Sequence, residues 1–345
     1  AIDGDGRVVI LRTTPLTAGT TYEVFVSGIR DRSSGANFIA AEERAEFMYG
    51  FTPLAPELVL GKPESPGPST RRTALTISEI MYNPTPRGDN RNLEFIELYN
   101  SQESLQVIGG YRLTGAVEYT FPEGTFIAAR TNLVVAAVPS DVQAVYGLPR
   151  VFGPYTNSLP DDGTIILLND QGAVLLEVPY AATGPWPAAP DAGGPSMVLV
   201  RPSYGEADPR AWGTSQFIGG SPGRAEPNVA DAYRGLVINE FIANTDLPAV
   251  DFIELYNYSG QTIDLSGVYL SDTPTTLKFQ IPAGTTIGPM QHKVFPETEL
   301  PFALRAEGEA VFLRNPGNTR VIDAVRFVAQ GTGVARGRFP DGNTE

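Results

Sequence analysis

One string of six residues occurs twice in this chain: Phe-Ile-Glu-Leu-Tyr-Asn stands at 95–100 and again at 252–257. The matches extend in both directions and keep their order. Ile77-Ser78-Glu79-Ile80 precedes the first string as Ile238-Asn239-Glu240-Phe241 precedes the second. Downstream, Phe121-Pro122-Glu123-Gly124-Thr125 answers to Ile281-Pro282-Ala283-Gly284-Thr285, and Asp162-Gly163-Thr164-Ile165 to Glu307-Gly308-Glu309-Ala310. A motif that recurs with its neighbours in order marks a duplicated domain. The period is far longer than a solenoid repeat, so each copy must bury a core of its own.

Composition says what kind of core. Hydrophobic residues make up 42% of 345, enough for packed interiors, while the 36 Gly and 30 Pro fall between short apolar runs. That alternation predicts many short strands joined by turns. The formal net charge of −14 argues against nucleic acid as a partner, since that affinity rests on Lys and Arg displacing counterions. With no cysteine there is no disulfide, thiolate metal site or Cys nucleophile. The longest apolar runs are strand-sized, so no membrane insertion by a helix is expected.

Taken along the chain, residues 1–52 read as β, with strands at 7–11, 21–26 and 45–49. Residues 53–72 carry five prolines among Gly and Ser and read as a semi-stiff linker. The first copy is placed at 73–228, a joint at 229–235 and the second copy at 236–345. Eight strands are expected in each, at 75–81, 93–99, 110–114, 117–121, 132–137, 164–168, 173–180 and 196–200 in the first. In the second they fall near 236–242, 250–256, 267–270, 277–281, 292–295, 309–314, 320–328 and 334–339. Val142–Tyr146 is the one stretch read as a helical turn. Neither end of the chain reads like a domain boundary, which suggests a piece of a longer protein.

Two resemblances follow from particular residues. Leu16-Thr17-Ala18-Gly19-Thr20-Thr21-Tyr22-Glu23-Val24-Phe25-Val26 and the Gly28-Ile29-Arg30-Asp31 loop resemble the second half of a bacterial Ig-like domain. Both later copies resemble the lamin tail domain, an Ig-like β-sandwich found in animal lamins and in bacterial secreted proteins. The Ile-x-Glu opening strand, the acidic-Phe-Ile-Glu-Leu-Tyr-Asn strand and the Ile108–Leu113 and Leu265–Leu270 strands carry that likeness. So do the two Pro-x-Gly-Thr turns and, in the first copy, Gly184-Pro185-Trp186-Pro187, Trp212 and Gly220-Ser221-Pro222-Gly223. The fold class implied is all-β: tandem Ig-like β-sandwiches with little helix. What the resemblance implies of function is adhesion, spacing or assembly at an extracellular or cell-surface location.

Residues that could carry chemistry are few. Glu79 with Glu97, and Glu240 with Glu254, are acidic pairs in adjacent apolar strands; paired carboxylates can serve as acid and base or hold a cation. Because both copies keep them, the simpler reading is a fold requirement: they receive backbone N–H groups or pair with an arginine. Asp161 and Asp162 precede Gly163 in a turn and are the candidates for a surface Ca2+ site; Asp3-Gly4-Asp5-Gly6 reads as a turn. His292 is the single histidine, so no duplicated Ser-His-Asp relay can be assembled. Tyr22, Tyr82, Tyr99, Tyr111, Tyr256 and Tyr269 fall at strand positions where an aromatic packs, or could stack on a sugar. No catalytic residue and no cofactor are assigned. The first reading is a structural or interaction module that meets other protein domains or identical subunits through sheet edges, as a surface-layer or filament subunit would. The second is a carbohydrate- or Ca2+-binding accessory module of a larger secreted enzyme, with cell-surface glycans as a candidate partner.

Overall fold

A computed structural model describes residues 20–26, 43–49, 64–70, 72–226 and 232–343. The chain divides into two compact units, Ala1–Ala55 and Pro56–Glu345. The first contains an antiparallel hairpin of β1 (Thr20–Val26) and β2 (Glu43–Tyr49), with Tyr22 opposite Phe47. The strand expected at 7–11, and Asp3 to Gly6, lie outside the described residues.

The second unit holds both copies. In the first, β3 (Leu75–Met81), β4 (Phe95–Asn100), β9 (Asn132–Ala136), β12 (Met197–Leu199) and β13 (Trp212–Thr214) form one sheet in the order β13-β12-β3-β4-β9. Facing it are β6 (Arg112–Gly115), β7 (Tyr119–Thr120), β10 (Asp162–Leu168) and β11 (Val174–Ala181), in the order β11-β10-β6-β7. A two-residue ribbon of β5 (Gln106–Val107) and β8 (Phe126–Ile127) closes the side. In β11 the period-2 pattern turns Leu176, Val178 and Tyr180 inward against Ile77, Leu98, Leu113 and Leu167.

The second copy repeats the plan. β14 (Leu236–Ile242), β15 (Phe252–Asn257), β20 (Gln291–Pro296) and β23 (Arg336–Gly337) form one sheet in the order β20-β15-β14-β23. Opposite lie β17 (Tyr269–Ser271), β18 (Phe279–Gln280), β21 (Gly308–Arg314) and β22 (Val321–Val328), with β16 (Ile263–Asp264) and β19 (Thr286–Ile287) as the ribbon. Each expected strand of the two copies is present, most of them shorter than expected. The two ribbons and β13 were not expected, because two- and three-residue strands carry no readable period.

A β-bulge at Ser78 in the first copy, and at Asn239 in the second, shifts the register of the opening strand. The core side therefore passes from Leu75 and Ile77 to Ile80, three residues on, and from Leu236 and Ile238 to Phe241. Glu79 and Glu240 are turned to the outer face.

That outer face is treated differently in the two copies. In the first, α1 (Pro139–Tyr146) lies across it, eight residues long where a single turn was expected. Proline opens α1 and Gly147, at φ 67°, caps it. Val142 packs with Met81, Leu93, Phe95 and Val134 to form a second small core. In the second copy the corresponding connection is the short turn Glu297–Glu299, and Val294 stays exposed. Among the described residues no helix is long and apolar enough to cross a membrane.

The copies also grip each other. Residues 187–195 of the first copy lie against β21 and β22 of the second, where Ala189 packs on Phe312 and Val321. Arg314 is buried there, and its Nη2 donates to the Gly193 carbonyl at 2.7 Å and to the Pro274 carbonyl. Asp191 takes Asn83 Nδ2 at 2.6 Å from its own copy and the Arg326 guanidinium from the other. Gly193 is required by closeness: a Cβ there would stand 2.1 Å from the Ala189 carbonyl oxygen and 3.0 Å from the Phe312 ring. Residues 64–69 also pack on the first copy, with Glu64 N–H on the Val200 carbonyl and Ser69 N–H on Glu206.

Candidate functional site

The bulge sets the geometry of the duplicated carboxylates. Glu79 pairs directly across the strands with Glu97, and Glu240 with Glu254. Like charges directly opposite each other destabilise a sheet, so each pair needs compensation, and the two copies supply it differently.

In the first copy the tail from Ser215 to Glu226 folds over the pair. Glu79 Oε1 accepts from Ser196 Oγ at 2.5 Å and from the Ser221 N–H at 2.7 Å, and its Oε2 lies 3.1 Å from Ser221 Oγ. Glu97 Oε1 accepts from Ser78 Oγ at 2.7 Å and Oε2 from the Gly223 N–H at 2.6 Å. A third carboxylate, Glu226, accepts from Ser215 Oγ, from Ser221 Oγ at 2.7 Å and from the Gln216 N–H at 3.1 Å. Gly220, at φ +82°, is needed here because a Cβ would fall 2.3 Å from Glu79 Oε1. Burial, then the charge of Glu97, pushes the Glu79 carboxyl well above its usual range. Burial pushes Glu97 up to about 7 against the pull of its hydrogen bonds.

In the second copy, Asn239 replaces Ser78 and a shorter tail crosses the face. Asn239 Nδ2 donates to Glu254 Oε1 and to Asp341 Oδ1, each at 3.2 Å, while its Oδ1 accepts the Gly342 N–H at 3.0 Å. His292 stands at the register position of Asn132, opposite Tyr256 as Asn132 is opposite Tyr99. Its ring stacks on Tyr256 at 4.4 Å, with Nε2 3.2 Å from Asp341 and 3.9 Å from Glu254. The lone histidine is thus a half-exposed strand-end residue inside a polar cluster.

The sequence motif also hid a role for its last residue. Asn100 Nδ2 donates to the carbonyls of Ser104, Ile127 and Ala128, and Asn257 Nδ2 to those of Gln261, Ile287 and Gly288. Each Oδ1 accepts a backbone N–H two residues on, from Gln102 or Ser259. This asparagine ties the motif strand to the ribbon in both copies, which is why it recurs. Glu94 was likewise given no role; it is buried and takes Tyr155 OH at 2.8 Å and the Leu159 N–H at 2.6 Å. The acidic residue opening each motif was the only available signal.

The remaining candidates separate. Asp161 and Asp162 lie exposed at the entry to β10, and among the described residues no cluster of three or more His, Cys, Asp or Glu could hold a metal. Tyr82 and Tyr256 are buried, the first against Tyr180 at 5.3 Å, so neither offers a free ring face. Two shallow surface pockets, of about 630 and 360 Å3, are lined by residues other than Glu79, Glu97, Glu240 and Glu254. Chemically, the first carboxylate pair holds a tail down on its sheet, whereas in the second copy Asn239 and His292 hold the segment around Asp341 and Asn239 links it to Glu254.

The sequence profile described as Lamin Tail Domain matches residues 68–182 and 230–329. No curated protein matches the chain. Among solved structures, one match is an exo-β-D-glucosaminidase CsxA with castanospermine- and australine-type inhibitors, at 12% identity and a TM-score of 0.17. Another is the Amycolatopsis orientalis exo-chitosanase CsxA with PNP-β-D-glucosamine, at 12% identity and a TM-score of 0.18. The alignments cover 69% and 74% of this chain and 26% of each enzyme. Likeness that faint fixes neither fold nor chemistry.

Proposed function

The chain belongs to the lamin tail domain family, of Ig-like, non-enzymatic modules, and from that membership we propose that it is a non-catalytic interaction module built as a rigid tandem. The setting proposed is a bacterial secreted or cell-surface protein, where it serves adhesion, spacing or assembly. One observation carries the reading. The two copies are clamped by Asp191, Arg314 and Arg326 into one compact unit, which suits a part that holds its ends at a fixed separation. The buried pair that could have argued for catalysis, Glu79 and Glu97, has its oxygens occupied by hydroxyl and N–H donors.

The test joins shape and turnover. Small-angle scattering and light scattering on the full chain should give one fixed separation between the copies, unchanged with salt. Substituting Arg314→Ala together with Asp191→Ala should broaden it. Hydrolysis of a glycoside or ester panel by the native chain, abolished by Glu97→Gln, would replace this reading with an enzymatic one.

A further inference from the structure

A hydroxyl carries one proton and can donate it once. In the first copy the carboxylates of Glu79 and Glu226 compete for such protons from three serines. The Ser196 proton goes to Glu79 Oε1 at 2.5 Å, and the Ser215 proton to Glu226 Oε1. Ser221 Oγ is left between the two, 2.7 Å from Glu226 Oε1 and 3.1 Å from Glu79 Oε2. If its proton goes to Glu226, the approach to Glu79 sets one acceptor against another. If it goes to Glu79, Glu226 is left facing a lone pair. In both cases the row closes only with one proton more than the hydroxyls supply.

That proton belongs on Glu79. The residue is 2% exposed and stands directly opposite Glu97. The titratable groups it meets are Glu97 from β4, Glu226 from the tail and Tyr146 from α1, and none of them is a cation. Arg224, on the tail, lies over the Phe217 ring at 4.4 Å and acts with Arg87 on the Tyr146 hydroxyl. From β12 and β9 come neutral groups, Ser196 on Glu79 and Asn132 on Glu97. Burial, then the charge of Glu97, favours the protonated form of Glu79. With Oε2 protonated, the donors run one way, from Glu79 to Ser221 Oγ to Glu226. Oε1 meanwhile keeps Ser196 and the Ser221 N–H. The second copy cannot build this row, because Ala335, which has no hydroxyl, stands at the register position of Ser196.

We propose that the tail from Ser215 to Glu226 is a proton-operated latch, shut while the Glu79–Ser221–Glu226 row holds its extra proton and lifted from the sheet when that proton is lost. Loss leaves three carboxylates together, two of them directly opposed, with Ser221 able to answer only one. Closure is therefore favoured at low pH. It weakens as pH rises through the folded-state values of the cluster, of which that of Glu97 is about 7. A lifted tail also loses the Tyr146 hydroxyl on the Gly219 carbonyl, at 2.5 Å, and the Ile218 N–H on the Thr319 carbonyl, at 3.3 Å. The second of these ties one copy to the other. On the module reading, the latch thus makes the spacing of the copies sensitive to pH; the latch itself stands without that reading.

The experiment is a titration of the full chain, labelled with 15N at glycine, from about pH 5.5 to about pH 9. The amide signals of Gly219, Gly220 and Gly223 should move together toward unstructured positions as pH rises, with one shared midpoint. Those of Gly115 in β6, and of Gly267 and Gly284 in the second copy, should hold still. Glu79→Gln puts an amide N–H where the proton stood and should keep the tail signals closed at a pH where the wild type has opened. A carboxylate that only accepted hydrogen bonds would give the reverse, a tail loosened by glutamine at every pH. Wild-type tail signals that stay in place to about pH 9, or that move only together with Gly115, would overturn the inference whether or not the variant folds. Scattering separates this from the module reading: a broad separation at about pH 6 counts against the module, and an unmoved tail counts against the latch alone.

Discussion

The outer faces of the two motif-bearing sheets start from the same string and end in opposite conditions. In the first copy, α1 and the tail at 215–226 seal the face, and Glu79 and Glu97 are buried in a network of serine hydroxyls and N–H groups. In the second, the segment around Asp341 and Gly342 crosses the face, and His292, Asp341 and Glu254 meet at its margin. An acidic pair on adjacent strands is thus a constant of the fold, while its surroundings are free to vary. Hydroxyl and N–H donors face the pair in one copy, and Asn239 and His292 stand beside Glu254 in the other. What the copies share most closely is the asparagine, with three carbonyls and one backbone N–H on each.

That shared element should give the largest effect. Asn100→Ala removes an amide whose two N–H groups are shared among three carbonyls and should cost about 3 kcal/mol in the first copy, as Asn257→Ala should in the second. Both tryptophans, Trp186 and Trp212, belong to the first copy. Tryptophan fluorescence during urea unfolding should therefore register Asn100→Ala much more strongly than Asn257→Ala. Equal responses would mean that the copies unfold together.

The buried pair comes next. Glu97 has its carboxyl raised from 4.5 to about 7, so the folded state holds that proton more tightly than the unfolded chain does. The associated stability is complete below 4.5 and is lost as pH rises through 7. The first copy should accordingly unfold more easily at about pH 8 than at about pH 5, by on the order of 2 to 3 kcal/mol. Glu97→Gln should flatten this dependence. A wild-type fluorescence midpoint unchanged between those conditions would contradict the assignment of Glu97 as the titrating group.

A smaller effect is expected where the copies meet. Asp191→Ala leaves the half-buried Arg326 without its carboxylate and should cost about 1 to 2 kcal/mol. Hydrogen exchange should quicken in β22 and around Asn83 together. The smallest belongs to His292→Gln: losing one half-exposed hydrogen bond to Asp341 costs about 0.5 kcal/mol, so the midpoint should scarcely move.

How much of this could be read in advance varies with distance along the chain. Duplication and strand positions were legible because identity and period are local signals, as in Val174 to Ala181. That the repeated glutamates serve the fold was argued from their recurrence alone. Their direct opposition was not legible, because a bulge at Ser78 or Asn239 leaves no mark in composition. Nor could a reader foresee that Ser221 and Gly223 would donate to Glu79 and Glu97, since 142 and 126 residues separate them. The grip of Gly193 and Asp191 on the second copy falls in a Pro-rich run with no period at all.

The family match to the first copy stops at residue 182, but β12, β13, the tail over Glu79 and the segment that meets Phe312 all follow it. The matched stretch is shorter than the piece that can close its own sheet. Cutting the chain at 182 would leave β3 without β12 and leave Phe312 and Arg314 of the second copy uncovered, so a portable unit runs through Glu226.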